Sequence, residues 1–493
     1  MKRLLLIFCC LALALGMLAA CGTAKENPTE TTGVATGTEE TTAGDDTPEN
    51  KRLGLNLSEL NFNNEEVTIV QRNNTEMEIK GDNDVTAGLV NQKVYSRNER
   101  VMANLNVYLN FKTVPGTVND IQEYVSKIRI ASMSDTPEYD ISSCYAYFSV
   151  QIAKEGTLAN LLELPHVDLS KAWWNQSFVA VNTLNGRLYS LTGDITTSLI
   201  DETEVVFFNR SLVDTNFPEG EDLYDVVLAG DWTLEELEKR VHSVGYQESF
   251  GTLLVGYNSN AVDGLLMGTD VKICSRNANN QYQMAMASDV NYTMVERLKT
   301  LVHNESDGVF GTGSGAATSA YRYNYVNSFA NGQGMFFIFR MSHARNVLSG
   351  YVLDYGILPM PKANAEQDNY QCTPHDEYSA LAVFNNVSAE RKERAGAVLE
   401  LMGYYSNSEI RPLVYETMYK LRTFDEQTSK IFDLIVDNTT FDFGYVWSNV
   451  IGDPVHVFRN YIWQNEDGLA SKVSGLTSDR LIAELMDYFY SED

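Results

Sequence analysis

Residues able to bind a small polar molecule follow the apolar, strand-like runs of this chain. Aromatic rings can cover the apolar faces of a ligand, while charged and amide side chains form hydrogen bonds with its polar edges. For the aromatic candidates the alternative is core packing, and for the charged candidates it is an ion pair within the protein. The predicted ligand-binding positions are Arg72, Asn73, Tyr145, Tyr147, Trp173, Trp174, Asp194, Arg340, Glu377, Tyr378 and Trp447.

Sequence motifs of covalent catalysis are missing. The chain has no HExxH, GxSxG or GxxxxGK(S/T) motif, and the glycines of 308–315 are not followed by lysine. The six histidines form no close pair, and the acidic stretch 73–84 lacks EF-hand spacing, so neither a metal site nor a cofactor is predicted. A glycoside hydrolase needs only two carboxylates, and the 66 acidic residues leave that alternative open.

Strands and helices alternate in the part of the chain that would position the first candidates. β-branched and apolar runs predict strands at 65–71, 107–114 and 139–148. Apolar residues at helical spacing predict helices at 91–106 and 118–134. This order favours a parallel α/β sheet, and ligands of such sheets bind at the carboxyl ends of the strands.

A second region of the same style begins near residue 204. Thr233 with Glu236 three residues later predicts a capping box, and therefore a helix start. The other predicted elements are a strand running into a helix at 204–213, strands at 332–340 and 351–362, a helix starting at Ser388 and a helix at 478–490.

The first 20 residues have the pattern of a secretory signal. Lys2 and Arg3 precede an apolar run at 4–15, which is too short to span a bilayer comfortably. Leu18-Ala19-Ala20-Cys21 resembles the lipobox of bacterial lipoproteins, and this resemblance implies cleavage before Cys21 and its acylation. A transmembrane anchor, or a plain signal with a chance cysteine, are the alternatives.

A Thr-, Glu- and Gly-rich segment follows Cys21. It has almost no large apolar residue, so it cannot bury enough surface to offset its ordering entropy. We therefore predict a signal at 1–20 and a lipidated, disordered tether at 21–55. A flexible coil of this length spans roughly 30 Å.

Charge and cysteine usage exclude several classes of protein. The net charge of −29 argues against a nucleic-acid partner, because phosphates need basic patches. Cys144, Cys274 and Cys372 lie far apart without a CxxC pair, which argues against zinc and iron–sulfur sites. Buried free thiols are expected, and one long-range disulfide among the three stays open.

Five short phrases, in this order, are similar to those of family 1 of the extracellular solute-binding proteins of ABC importers. Each phrase is weak alone, but together they span nearly all of the chain after the tether. They are NGRLY (185–189), FNRSL (208–212), WTLEEL (232–237), FANGQGM (329–335) and YGILPMPK (355–362).

The resemblance implies a two-lobed fold of type II, in which each lobe is a mixed, mainly parallel sheet flanked by helices. Lobe 1 would comprise 56–198 and 358–405, and lobe 2 would comprise 199–357 and 406–493. The hinge between them would be crossed near 196–204 and near 355–358. Closure around a ligand would then be a hinge motion.

The resemblance also implies a function without covalent chemistry. The protein would be a monomer on the extracellular face of a bacterial cytoplasmic membrane, anchored through Cys21. It would capture a carbohydrate, an oligosaccharide above all, and deliver it to the transmembrane subunits of an ABC permease. A binding protein that feeds a sensor kinase is an alternative. Thr192 stands where the family often has proline, which weakens any transfer of ligand identity.

Overall fold

The computed structural model describes residues 48–218, 220, 222–245, 251–256, 260–310, 319–418 and 426–491. The predicted signal, Cys21 and most of the predicted tether lie outside these residues. Within the described ranges, no helix is both long enough and apolar enough to cross a membrane. The end of the predicted tether is helical rather than irregular, because Leu53 of a short helix at 48–53 is buried.

Eleven strands occur in the described part of the chain. They are β1 (Glu65–Arg72), β2 (Val107–Val114), β3 (Ile141–Tyr145), β4 (Glu204–Asn209), β5 (Gly251–Val255), β6 (Cys274–Arg276), β7 (Tyr282–Met284), β8 (Val309–Phe310), β9 (Gly334–Arg340), β10 (Tyr355–Leu358) and β11 (Ser379–Val383).

Helices connect and cover these strands. They are α1 (Pro48–Leu53), α2 (Glu76–Ile79), α3 (Leu89–Leu105), α4 (Ile121–Ser132), α5 (Ala146–Ala153), α6 (Gln176–Asn182), α7 (Ser198–Asp201), α8 (Arg210–Asn216), α9 (Leu223–Leu228), α10 (Leu234–Val244), α11 (Ala261–Gly268), α12 (Asp289–Val302), α13 (Ser319–Ala330), α14 (Ser342–Asn346), α15 (Ala389–Tyr405), α16 (Arg411–Thr417), α17 (Glu426–Asp437), α18 (Phe443–Val446), α19 (Val455–Trp463), α20 (Leu469–Ser474) and α21 (Ser478–Tyr490). A π-helical turn, Ser406–Ile410, joins α15 to α16.

Two sheets and one hairpin result. The first sheet has the order β11-β3-β1-β2, with β1 parallel to both β2 and β3 and only β11 antiparallel. The second sheet has the order β10-β4-β9-β5-β8, with two parallel and two antiparallel pairs. Strand β4 runs antiparallel to both of its neighbours, which makes this sheet more mixed than the mainly parallel one predicted.

The predicted elements of the first region are largely present. The strand predicted at 107–114 is β2, and those predicted near 65 and 141 are β1 and β3. The strand predicted at 139–148 ends earlier, because helix α5 begins at Ala146 directly after β3. The predicted capping box is confirmed in part: Thr233 Oγ1 accepts a hydrogen bond from the Glu236 backbone N–H at 3.2 Å.

Apolar side chains fill both faces of the first sheet. Val67 and Ile69 of β1 pack on the face covered by α3 and α15, while Val70 faces the side covered by α4. This alternation follows from the two-residue repeat of a strand. Cys144, Cys274 and Cys372 are buried free thiols, which confirms the expectation and removes the disulfide alternative.

Three extended segments lie side by side where the chain passes between the two sheets. Thr203 pairs with Pro374 in antiparallel fashion, and Cys372 pairs with Thr439 in parallel fashion. We call the segments 202–204, 372–375 and 438–440 the crossing ribbon. The second passage between sheets lies here, after β10, rather than within 355–358, because β10 is paired with β4 inside the second sheet.

Candidate functional site

A group of charged side chains lies at the crossing ribbon, where strand ends of both sheets meet. Glu204 opens β4 and Arg340 closes β9, and the register of these strands places the two residues opposite each other. Glu202 precedes β4, and the segment before β11 brings in His375, Asp376 and Glu377. We call this group the crossing cluster; it consists of Glu202, Glu204, Arg340, His375, Asp376 and Glu377.

Arg340 is the centre of the crossing cluster. Its Nη1 lies 3.0 Å from Glu202 Oε2 and 3.1 Å from Glu377 Oε2. Its Nε lies 3.9 Å from Glu204 Oε1. One guanidinium thus holds together carboxyl groups from both passages between the sheets.

Burial changes the acidity of the two glutamates at the start of β4. Burial raises the pKa of Glu204 to about 8, although the nearby charge of Arg340 lowers it. Burial also raises the pKa of Glu202 to about 8; Arg340 opposes this and the charge of Glu377 adds to it. A buried carboxylate without sufficient compensation binds a proton near neutral pH.

His375 faces the carboxyl groups from the opposite side. Its Nδ1 lies 3.8 Å from Glu202 Oε2 and 3.6 Å from Asp376 Oδ1. Burial and the charge of Arg340 hold the pKa of His375 well below its usual value, so the ring is neutral. One donor atom each from Glu202, His375 and Glu377 lie within 4.8 Å of one another, which is a set that could hold a metal ion.

Two residues predicted to bind ligand, Tyr145 of β3 and Arg72 of β1, contact the crossing cluster from the first sheet. The Tyr145 hydroxyl donates to Asp376 Oδ1 at 2.9 Å. Arg72 Nη2 donates to the Glu377 carbonyl and to Ser379 Oγ, both at 3.0 Å, and its guanidinium carbon lies 5.2 Å from the centre of the Tyr145 ring. Both side chains are buried, so they position the cluster rather than present a free surface.

Asn73 and Tyr147 are the more accessible residues beyond these strand ends. Asn73 is exposed, and its Oδ1 accepts from the Gly116 backbone N–H at 3.1 Å. Tyr147 is half-buried, and its hydroxyl donates to Asp453 Oδ1 at 2.7 Å. Their side chains can therefore meet a molecule that enters from solvent.

The predicted tryptophans occupy the core instead. Trp173 and Trp174 pack beneath α15, and Trp174 Nε1 donates to Glu400 Oε2 at 3.0 Å. Trp447 is equally buried, and its Nε1 donates to Asn182 Oδ1 at 2.8 Å. All three rings are enclosed, and Trp173 and Trp174 also border the crevice described below.

Tyr378 and Asp194 also lie apart from the crossing cluster. Tyr378 is buried against Phe178 and Phe441. Asp194 accepts a hydrogen bond from Asn407 Nδ2 at 2.7 Å and lies 3.9 Å from Arg411 Nη1, so it has the ion pair that was the alternative to ligand binding. Burial raises its pKa to about 6.

Asp194 borders a separate crevice of about 1000 Å³. This crevice lies beside the third segment of the crossing ribbon, 438–440, and contains none of the crossing-cluster residues. Its wall combines polar and apolar residues, and the predicted Trp173 and Trp174 border it together with Asn175, Lys272 and Gln371. The crevice with this volume and the crossing cluster, whose glutamates have raised pKa values, are therefore different places in the molecule.

Sequence reasoning found Arg340 and Glu377 but missed Glu202, Glu204 and His375. A signal for Glu204 exists in the sequence, since a glutamate directly precedes the apolar run Val205–Phe208. A charged residue at the start of a buried strand is costly unless it is paired or functional. His375 carried no such signal, because its partners Glu202 and Asn260 lie far away along the chain.

No family model matches the chain, and no curated protein is similar to it in sequence. Solved structures are similar in fold. The sugar-binding protein MalE from Xanthomonas citri aligns with a TM-score of 0.58 at 13% identity, covering 87% of this chain and 100% of that chain.

Two further solved structures match comparably. The cyclic α-maltosyl-1,6-maltose binding protein from Arthrobacter globiformis aligns with a TM-score of 0.57 at 14% identity, covering 85% of this chain and 98% of that chain. An extracellular solute-binding protein from Staphylococcus aureus, solved in complex with maltose, aligns with a TM-score of 0.53 at 13% identity. The alignment covers 86% of this chain and 96% of that chain.

The chain therefore has the two-lobed α/β fold of the MalE-type solute-binding proteins. The predicted fold class is confirmed, and the resemblance seen in the sequence phrases is supported at the level of the fold. The similarity extends over almost the whole length of these structures, so both lobes and the passages between them are included.

Proposed function

We propose that this protein is the solute-binding component of an ABC importer and that it captures a carbohydrate, an oligosaccharide above all, without covalent chemistry. The observation that carries the proposal is the fold similarity, over most of this chain, to solved sugar-binding proteins. A strand-end group of polar side chains between the two sheets is consistent with it, because α/β sheets bind ligands at such edges.

The proposed ligand contacts are those polar groups that a solute can reach. Asn73 and Tyr147 offer an amide and an aromatic ring near solvent, and Glu377 is about one-third exposed. Arg340 and Glu202 would meet ligand hydroxyl groups at the base of the cleft. Arg72, Tyr145, Tyr378, Asp194 and the three tryptophans would act only as support.

Hinge closure is part of the proposal. The lobes would comprise 56–198 with 358–405, and 199–357 with 406–493, and the crossing ribbon would bend between them. Helix α16 packs against α3 of the first lobe. The described contacts therefore favour moving the last lobe boundary beyond residue 417.

The cellular setting is proposed from the N-terminal sequence. Acylated Cys21 would hold the protein at the extracellular face of the membrane, and the tether would allow a monomeric body to reach permease subunits. A sensor kinase in place of the permease is the alternative partner. Genes for two permease subunits next to this one would favour import, whereas a kinase gene would favour sensing.

Binding is tested by melting the protein with a panel of mono- and oligosaccharides. A ligand that binds only the folded state raises Tm in proportion to the logarithm of its excess concentration. We expect at least one oligosaccharide to do so. A panel without any shift contradicts a carbohydrate ligand, and release of products from labelled oligosaccharides contradicts a binding-only function.

The proposed contact of Tyr147 gives a matched test. Tyr147→Ala should weaken binding of that oligosaccharide by roughly tenfold or more, because stacking and hydroxyl contacts are both lost. Tyr108→Ala, at a half-exposed position on β2, is the control and should bind like the wild type. Equal affinity of both variants would place the ligand elsewhere.

A further inference from the structure

Carboxyl groups outnumber cationic groups at the crossing ribbon. Asp263 beside the cluster is already paired with Arg459, whose Nε lies 3.0 Å from Asp263 Oδ1. Arg72 directs its Nη2 to a carbonyl and a hydroxyl. Among the described residues, one guanidinium, that of Arg340, then lies within 4 Å of three carboxyl groups, those of Glu202, Glu204 and Glu377, while the charge of Arg459 acts on Asp376. Carboxyl groups grouped in this way must bind either protons or a further cation.

A ring nitrogen without a hydrogen-bond partner points toward these carboxyl groups. His375 is only 4% exposed, and its Nδ1 forms no hydrogen bond. The same is true of Glu202 Oε2, 3.8 Å away, which lies within ion-pair distance of Arg340 but is not aligned for a hydrogen bond. Two buried, unsatisfied atoms that face each other need an explanation beyond packing.

The other ring nitrogen of His375 is held in place. Nε2 lies within hydrogen-bonding distance of the Asn260 side-chain amide. The Asn260 atom that faces Nε2 is the amide nitrogen Nδ2. When the amide is turned by 180°, its oxygen accepts the Nε2 proton and the Nδ1 lone pair is directed toward the carboxyl groups. A histidine that ligates a metal is oriented in this way by a partner on its second nitrogen.

We propose that Glu202, His375 and Glu377 bind a divalent transition-metal ion of the Zn²⁺ class. One imidazole and two carboxylates suit such ions, and three protein ligands leave a position for water or another oxygen. The three donor atoms already lie within 4.8 Å of one another. Arg340 shares two of these carboxylates, and Glu204, 3.9 Å from its Nε, offers it another partner.

The ligands come from two different passages between the sheets. Glu202 precedes β4, whereas His375 and Glu377 precede β11, and Thr203 and Pro374 pair between them. A bound ion would therefore join the two passages. Its open position would face the proposed cleft, so a solute oxygen could complete the coordination. The site does not depend on the identity of that solute.

The test is calorimetric titration of the chelator-treated protein with ZnCl₂ and MnCl₂, with no sugar present. We expect one ion per chain. His375→Gln and Glu377→Gln should each weaken binding by roughly tenfold or more, since each removes a direct ligand. His242→Gln is the control, because its ring is 83% exposed and lies 3.0 Å from Asp307, away from the ribbon.

Co²⁺ gives a second readout that a merely structural role would not change. A three-ligand site of low coordination number should give a visible absorption band that is lost in His375→Gln and kept in His242→Gln. If His375→Gln does not fold, as judged by its melting curve, Glu377→Gln carries the comparison, because Glu377 is 36% exposed. Ion binding that is equal in wild type and Glu377→Gln would overturn the proposal, whatever the result of the sugar screen.

Discussion

A single buried carboxyl group, that of Glu400, shows how the core controls its own charge. Glu400 lies within α15 with no exposed surface and accepts a hydrogen bond from Trp174 Nε1. Burial raises its pKa to about 7, although the Trp174 hydrogen bond lowers it. The residue that was expected to hold a ligand, Trp174, is thus a partner of a core acid.

Glu400 gives a prediction about pH. Its folded-state pKa lies above the ordinary value of 4.5, so the folded protein binds more protons than the unfolded one between pH 4.5 and 7. Ionisation therefore costs stability as pH rises through this window. Glu400→Gln keeps a hydrogen-bond acceptor and should raise the free energy of unfolding at pH 8 by about 1–3 kcal/mol, with little effect at pH 4.5.

Denaturant unfolding at both pH values measures this effect. Glu123→Gln is the control, since that side chain is exposed on α4 and should follow the wild type. A Glu400→Gln protein that is equally destabilised at pH 4.5 and pH 8 would show that the carboxyl group is needed for packing rather than penalised for its charge.

At the scale of elements, α15 approaches Trp173 closely enough to require glycine. A β-carbon at Gly403 would lie 2.3 Å from Trp173 Cδ1, and Trp173 is enclosed and cannot move aside. Gly403→Ala should therefore lower the free energy of unfolding by about 1–3 kcal/mol, even though alanine favours a helix.

Gly350→Ala is the matched change for Gly403→Ala. A β-carbon at Gly350 would meet no atom within 4 Å, so its effect should stay within about 0.5 kcal/mol. Chemical denaturation of both variants measures the two changes in the free energy of unfolding. A neutral Gly403→Ala would mean that the helix can shift away from the tryptophan at no cost.

Strand and helix positions could be predicted from the sequence where periodicity was strong, as for β2 and α21. The direction in which side chains point at the passages between the sheets could not be predicted from the sequence. Trp174 forms an isolated bridge with Gly193, and a change of one residue in such a register turns every side chain to the other face. Arg340 was found because it follows a predicted strand and Glu377 because it lies in a polar loop after residue 362, whereas His375 depends on contacts distant in sequence.

At the scale of the whole molecule, the proposed anchor and the proposed binding site should be separable. Cys21→Ala removes the only thiol of the lipobox, so the protein should appear in the culture medium rather than in the membrane fraction. The released protein should keep the affinity of the anchored form for the oligosaccharide found in the screen. Release with lost affinity would contradict an independent body, and retention in the membrane would contradict the acylation.

The crossing ribbon constrains how the two halves of the molecule can move. Three extended segments, paired through Thr203–Pro374 and Cys372–Thr439, can flex together about an axis across them but resist sliding past one another. The proposed hinge closure would therefore have essentially one degree of freedom. In the proposed closure, a group on one wall of the cleft would always meet the same group on the other wall, so a solute would be selected by a fixed pair of surfaces rather than by a range of docking poses.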